Sequence, residues 1–136
     1  MQNPPPVQTT KSSTGLDENI AALLSYIFGW LGGLIFFLIE KESRFVKFHA
    51  MQSLLLNVLA AVLFIGLWIL TVVLVMVTAA ISEGLGTVVG LLSTLIWLAF
   101  GIGIAIAAIM CLVKAFQHQY FKLPIIGNFA EKFSAR

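Results

Sequence analysis

Three long stretches of the sequence contain no aspartate, glutamate, lysine or arginine. They cover 19–39, 48–82 and 84–113 and are 21, 35 and 30 residues long. A membrane-spanning helix needs roughly 20 consecutive apolar residues, because the hydrocarbon core of a bilayer is about 30 Å thick. Each stretch is long enough for one span and too short for two spans joined by a turn. The pattern therefore predicts three helices, over about 18–40, 51–81 and 85–114.

The composition explains why a bilayer is the expected surrounding of these helices. Hydrophobic residues make up 60% of the 136 residues and charged residues only 10%, whereas soluble domains carry about 25% charged residues. A chain of this size cannot bury so much apolar surface by itself. We therefore expect an all-α membrane protein with three transmembrane helices, a short interfacial segment before the second and an amphipathic C-terminal tail. Residues 1–15 are expected to form a disordered tail, and 16–136 a single membrane domain.

The basic residues predict the orientation, because lysine and arginine are enriched in cytoplasmic loops. The link between the first two predicted helices and the C-terminal segment hold seven of the eight basic side chains, and the N-terminal segment holds Lys11 alone. With three spans, that link and the C-terminus share one side of the membrane. We therefore expect the N-terminus outside and the C-terminus in the cytoplasm. The net charge of +2 is too small to indicate nucleic acid as a partner.

Small residues mark the faces on which the helices are expected to meet, since helices in lipid associate through close backbone approach and a few polar contacts. Gly29 and Gly33 in the first helix, and Gly86 and Gly90 in the third, have the GxxxG spacing. In the second helix Asn57 is the most polar residue of the stripe and is expected to point at a partner helix. We expect these faces to hold the monomer together, with contact between copies as the alternative.

Two segments on the expected cytoplasmic side mix aromatic with basic residues. They are 40–53, which reads EKESRFVKFHAMQS, and 114–133, which Pro124 interrupts. We expect 45–53 to form an interfacial helical turn that leads into the second span and docks against 123–126. The residues expected to form the cytoplasmic interface are Glu40, Arg44, Phe45, Lys47, Phe48, His49, Gln52, Lys122 and Pro124.

These segments also carry a resemblance to a known family. The blocks 14–53 and 114–132 resemble a widespread family of small uncharacterised membrane proteins of bacteria and archaea. That family is similar to the Tic-twenty component of the chloroplast inner-envelope import machinery. The most specific pieces are 40–42, 45–50, 52–53 and 122–125. The resemblance implies a multi-pass protein of the plasma membrane of a bacterium or archaeon, and it implies no reaction and no catalytic residue.

The sequence offers no arrangement typical of an enzyme. His49 and His118 are the only histidines, and no cysteine accompanies them at a metal-ligand spacing. We therefore expect no catalytic residue, no metal and no cofactor. Apart from the terminal residues Glu18, Glu40 and Lys114, the predicted spans contain no Asp, Glu, Lys or Arg, which argues against a proton-driven pump within one protomer.

The expected function is that of a non-enzymatic structural or interaction component of the membrane that works through its cytoplasmic face. Its expected partners are the lipid bilayer and either further copies in a homo-oligomer or another membrane protein. The alternative function is an oligomeric transport or protein-translocation component, similar to the chloroplast import channel family.

Overall fold

The computed structural model describes residues 10–135. Within this range the chain is helical, as predicted, and forms five helices. Residues 1–9 of the predicted disordered tail, and Arg136, lie outside the described residues. The helices are α1 (Glu18–Ile27), α2 (Gly29–Ile39), α3 (Arg44–Ile81), α4 (Glu83–Phe116) and α5 (Ile126–Ser134).

The first apolar stretch is divided into two short helices at Gly29. Helix α1 ends at Ile27, and α2 begins two residues later with Gly29 at a φ of +60°. This left-handed conformation is one that glycine adopts without steric cost and that commonly ends helices. The predicted single helix over 18–40 is therefore wrong. With 10 and 11 residues, each short helix is only about 15–17 Å long, half the thickness of a hydrocarbon core.

Helices α1 and α2 run antiparallel, because the chain before α1 contacts the chain after α2. The backbone N–H of Ser13 donates to the Glu40 carboxylate at 3.0 Å, and the N–H of Lys41 donates to the Ser13 hydroxyl at 2.9 Å. A continuous helix from 18 to 39 would separate its ends by about 33 Å. The structure therefore does not confirm three membrane spans, and it places 10–17 at the same end of the molecule as 40–44, contrary to the predicted opposite placement.

Helices α3 and α4 form a tight antiparallel hairpin, with Ser82 alone between them. Helix α3 begins at Arg44 because the Ser43 hydroxyl accepts the N–H of Val46 at 3.2 Å, an N-terminal cap. The predicted interfacial segment is thus the first turns of α3 itself. The two helices have 38 and 34 residues, or about 57 and 51 Å. Among the described residues, these two helices are long and apolar enough to cross a membrane.

Apart from Gly86 and Ser93 in α4, the buried residues gather at one end of the molecule. Every buried apolar side chain of the described residues belongs to 10–57 or 111–135, which together we call the head. Residues 58–110 continue α3 and α4 beyond it as two paired arms, whose large apolar side chains are mostly exposed. The arms touch through Phe64 and Trp97, whose ring centroids are 5.0 Å apart. The head is therefore packed around its own core, and the arms leave their apolar surface to another phase.

Candidate functional site

Gln52 joins three parts of the head. Its side chain is fully buried on α3, and its Nε2 donates to the carbonyl oxygen of Phe121 at 2.8 Å and to the Tyr26 hydroxyl at 3.0 Å. Its Oε1 accepts the N–H of Leu123 at 3.1 Å. The predicted docking of the start of α3 on the C-terminal segment is therefore present, although it is made through the backbone of 119–123.

His49 extends this network, and its partners determine its tautomer. Its Nε2 lies 2.9 Å from the carbonyl oxygen of Gln119, which can only accept, so Nε2 carries the proton. Its Nδ1 lies 3.1 Å from the Tyr26 hydroxyl and therefore accepts from it. The hydrogen bonds run in one direction, from Gln52 through Tyr26 to His49 and on to Gln119. Both nitrogens of this buried imidazole are thus used to hold α1, α3 and the C-terminal segment together.

Aromatic rings fill the space around His49. The Phe45 ring centroid lies 4.6 Å from that of His49, 5.5 Å from that of His118 and 5.1 Å from that of Tyr120. Phe48 packs against Ala130 of α5. The Phe45 ring contacts both imidazoles. Across residues 10–135, no group of three His, Cys, Asp or Glu side chains is placed to hold a metal ion.

Glu40 closes the α1–α2 hairpin. Its carboxylate accepts hydrogen bonds from the hydroxyls of Ser12 and Ser13 and from the backbone N–H groups of Ser13, Glu42 and Ser43. Burial opposes ionisation of this carboxyl, but the donors, led by Ser12 and Ser13, outweigh it and lower the pKa of Glu40 to about 2. The acidic side chain expected at an interface is therefore an internal lock between 12–13 and 40–43.

The nine predicted interface residues thus fall into two groups. Five of them, namely Glu40, Phe45, Phe48, His49 and Gln52, are buried inside the head. The remaining residues are Arg44, Lys122 and Pro124, which are exposed, and Lys47, which is half-buried. The ammonium of Lys47 lies 5.8 Å from the centroid of the Phe37 ring, and that of Lys122 lies 2.6 Å from the Glu131 carboxylate.

Of this exposed group, Arg44 lines an open cleft of about 690 Å³. Its charged lining is balanced, with two cationic and two anionic side chains. His118 adds a buried Nε2 that has no hydrogen-bond partner, on a backbone at a φ of 56°. The residues lining the cleft are Thr10, Lys11, Glu18, Glu42, Ser43, Arg44, Phe45, His118 and Tyr120.

The predicted packing glycines also differ from one another. A Cβ on Gly33 would lie 2.7 Å from the carbonyl oxygen of Ala50, so Gly33 lets α2 approach α3. A Cβ on Gly86 would lie 2.6 Å from that of Ala79, which allows the arms to meet near their turn. A Cβ on Gly90 would meet nothing within 4 Å, so packing within the monomer does not require a glycine there, and its packing role stays a prediction.

Gly29 and Asn57 lie side by side at the end of the head. Gly29 forms the break between α1 and α2, and a Cβ there would lie 3.6 Å from Oδ1 of Asn57. The Asn57 amide donates to the carbonyl oxygen of Ser53 on its own helix at 2.8 Å. Its side chain therefore faces the turn of the hairpin, but its hydrogen bond stays within α3.

Several residues of the network were not predicted from the sequence. Ser12 and Ser13 lie in the part of the tail that was expected to be disordered, and Tyr26 lies inside the first apolar stretch. The signal for Tyr26 was the presence of a phenol hydroxyl in an apolar segment, since a buried tyrosine hydroxyl normally finds a partner. Gln119 and Phe121 contribute backbone carbonyls, which no side-chain pattern can indicate.

Comparisons with known proteins agree with a prokaryotic membrane family. Residues 15–130 match the magnetosome magnetite crystal formation protein family. The chain is 42% identical to a UPF0132 membrane protein of Methanocaldococcus jannaschii, over 91% of this chain and 94% of that protein. It is 38% identical to a UPF0132 membrane protein of Archaeoglobus fulgidus, over 86% and 95%. No solved structure matches, and these comparisons do not support the resemblance to the chloroplast import component.

Proposed function

The chain belongs to the magnetosome magnetite crystal formation protein family, whose archaeal relatives are named membrane proteins, and from that premise we propose that it is a non-enzymatic structural component of the plasma membrane. In this proposal α3 and α4 anchor the chain in the bilayer. The head is a rigid platform on the cytoplasmic side, and its exposed residues contact a second copy of the chain or another membrane protein.

This proposal rests on one observation: buried polar side chains of the head are hydrogen-bonded to other parts of the head. Three buried side chains that could serve chemistry, namely His49, Gln52 and Glu40, are hydrogen-bonded to other parts of the head. Their hydrogen bonds fix the head's shape, because each buried polar group left without a partner would cost about 1–3 kcal/mol. What the head offers to a partner is a fixed surface that includes the open cleft lined by Arg44. Elsewhere the head presents Lys47, Lys122 and Pro124.

Charge supports a cytoplasmic head. The basic side chains of the described residues all lie in the head, and the turn between the arms carries Glu83. Since lysine and arginine favour the cytoplasmic side, we infer that α3 and α4 are the two spans and that α1–α2 enters and leaves on the head side. Both the start and the end of the described chain would then be cytoplasmic, in place of the expected external N-terminus.

Cysteine accessibility tests this topology. The variants Thr10→Cys, Glu83→Cys and Ala135→Cys, each in a Cys111→Ala background, are treated with a membrane-impermeant maleimide in intact cells. The proposal predicts labelling at 83 alone, and labelling at 10 and 135 only after the cells are opened. Reaction at 10 from outside intact cells would restore the three-span arrangement.

Site-specific cross-linking tests the platform role. A photoreactive residue replaces Arg44 or Pro124 on the head, and Leu95, an exposed residue of the arms, serves as the matched control. The proposal predicts one discrete cross-linked species at the head positions, whose mass identifies a second copy or another protein, and diffuse lipid products at 95. A ring-shaped oligomer that conducts ions in a planar bilayer would instead support the transport alternative. A monomer without head-specific products would reject the platform.

A further inference from the structure

The outer face of the α1–α2 hairpin is apolar and has no partner within the described chain. Its large side chains are between 44% and 65% exposed, although they belong to the head and not to the arms. They are Ile27, Phe28, Trp30, Leu31, Ile35, Leu38 and Ile39. The same hairpin buries its other face, with Ala21 and Phe36 in one cluster with Val46 of α3.

The position of the hairpin along α3 indicates what covers this face. Gly29, at the hairpin turn, lies beside Asn57, and Asn57 lies 24 residues before the end of α3 at Ile81. That distance is about 36 Å along the helix, slightly more than the hydrocarbon thickness of about 30 Å. If Ile81 lies at one boundary of the hydrocarbon core, the turn of the hairpin lies at the opposite boundary. Helix α2 runs from this turn toward the start of α3, away from the arms. The turn end of the exposed face is therefore level with the head groups on the head side, and the rest of the face rises beyond them.

The resulting molecule has different cross-sections at the two surfaces of the bilayer. On the far side only α3 and α4 of the described helices are present, whereas on the head side α1 and α2 lie beside them. Each helix is about 10–12 Å across with its side chains, so the two added helices about double the cross-section. Helix α5 widens the head further, since Ala130 packs on Phe48 while Phe129 and Phe133 remain exposed.

We propose that the protein is a one-sided membrane wedge, which inserts the turn end of the apolar α1–α2 face among the head groups of the head-side leaflet and favours membranes that are convex on that side. The physical reason is area: the chain displaces more lipid from one leaflet than from the other, and a convex surface accommodates that difference. Binding by shallow apolar insertion depends on curvature for the same reason. This activity deepens the proposed function, since a platform that bends or selects its membrane organises it without a reaction.

The test uses full-length protein in giant vesicles of phosphatidylcholine and phosphatidylglycerol, from which a thin tube is pulled outward. A membrane-impermeant dye on the Ala135→Cys variant, in a Cys111→Ala background, reports only molecules whose head faces out. The same dye on Glu83→Cys reports only molecules whose head faces in. The proposal predicts that the first population is enriched severalfold in the tube relative to the vesicle body and the second is depleted. Equal densities of the two populations in the tube would overturn it.

A pair of variants at exposed positions assigns the effect to the hairpin. Leu31→Glu with Leu38→Glu places charge on the inserting face, and Leu31→Ile with Leu38→Ile is the matched apolar control. The charged pair is expected to lose the enrichment while its thermal unfolding in detergent remains that of the parent. If the charged pair sorts like the parent, the hairpin is not the wedge. If Leu38→Cys forms a disulfide-linked dimer and the tube shows no enrichment, a second copy covers the face and the proposal fails.

Labelling in the same vesicles distinguishes a failure of the wedge from a failure of the two-span topology on which it depends. Labelling of Thr10→Cys and Ala135→Cys on opposite sides would reject the two-span arrangement itself. Labelling on the same side without sorting into the tube would reject the wedge and leave the platform intact.

Discussion

The head and the arms are made of the same long helices but are stabilised in different ways. In the head, the first turns of α3 are buried among α1, α2 and α5 and carry the Gln52–Tyr26–His49 network. In the arms, the same helix presents apolar side chains outward and meets α4 along one face. Hydrophobicity alone therefore does not distinguish a helix that packs on protein from one that packs on lipid. The polar groups do, because a buried polar side chain requires a partner of fixed geometry.

Breaking the network should have the largest effect on the head. Gln52→Leu keeps the apolar volume but leaves the N–H of Leu123 and the carbonyl of Phe121 without partners. We expect a loss of about 3 kcal/mol in unfolding free energy, since each stranded buried group costs about 1–3 kcal/mol. Thermal unfolding in detergent measures this loss of stability. Limited proteolysis within 117–125 is a second measurement on the same variants. The control is Gln117→Leu, an exposed position, and equal stability of the two variants would show that the network does not hold the head.

The next largest difference is expected when a methyl group is added to a glycine in each region. Gly33→Ala forces Cβ against the backbone of Ala50 in the head, whereas Gly90→Ala meets open space in the arms. We expect Gly33→Ala to cost about 2 kcal/mol, because overpacking against backbone is relieved only by moving α2. Gly90→Ala should be neutral or slightly stabilising, since alanine is the better helix former by up to about 1 kcal/mol. Equal destabilisation by both would place Gly90 in a contact between copies.

These glycines show how far the sequence could predict the fold. The hairpin of α3 and α4 follows from two uncharged stretches separated by Glu83 alone. Helix α5 was expected only as an amphipathic tail, and the face that it buries, with Ile126 and Ala130, was not predicted. The break at Gly29 could not be predicted, because a glycine inside an apolar helix and a glycine that ends one have the same local sequence. The decision is made by contacts distant in sequence, namely those of Glu40 with Ser12 and Ser13.

The sequence predicts which residues meet at the candidate site but not what those residues do there. The segment 45–53 does meet the C-terminal segment, since Gln52 and His49 contact 119–123. However, Ile125, which was expected to take part, is 72% exposed. Amphipathic spacing indicates which residues share a helix face. It does not tell whether that face meets lipid, a partner or the chain's own backbone.

Acid should weaken the head before the arms. The lowered pKa of Glu40, about 2 against an ordinary 4.5, means that the folded state favours the carboxylate. Its contribution is fully present above about pH 4.5 and is lost as the pH falls toward 2. We expect Glu40→Gln to lower stability by about 1 kcal/mol at pH 7, because bonds to a charged acceptor are the stronger ones, and to flatten the decline below pH 4.5. The exposed Glu42→Gln is the control, and a parent-like acid decline in Glu40→Gln would refute the lock.

The smallest expected effect is a difference in depth between two tryptophans. Trp30 lies next to the hairpin turn, and Trp68 lies 13 residues before the end of α3, close to the middle of the span. With the other tryptophans replaced by phenylalanine, Trp30 should be quenched more by aqueous acrylamide and Trp68 more by lipids brominated deep in the acyl chain. Interfacial tryptophan is a common feature of membrane proteins. If Trp30 matches Trp68, the hairpin is inserted across the core and not at its boundary.

The first apolar stretch turns back at Gly29, which brings residues 14 and 41 close together. Pulsed electron paramagnetic resonance in liposomes measures the distance between spin labels on Thr14→Cys and Lys41→Cys, in a Cys111→Ala background. Both positions are exposed, and the neighbouring Ser13 hydroxyl and Lys41 N–H are 2.9 Å apart. The hairpin predicts one narrow short distance, which Gly33→Leu should broaden. A distribution centred at or beyond about 33 Å, the length of a continuous helix of 22 residues, would contradict the hairpin and restore the third span.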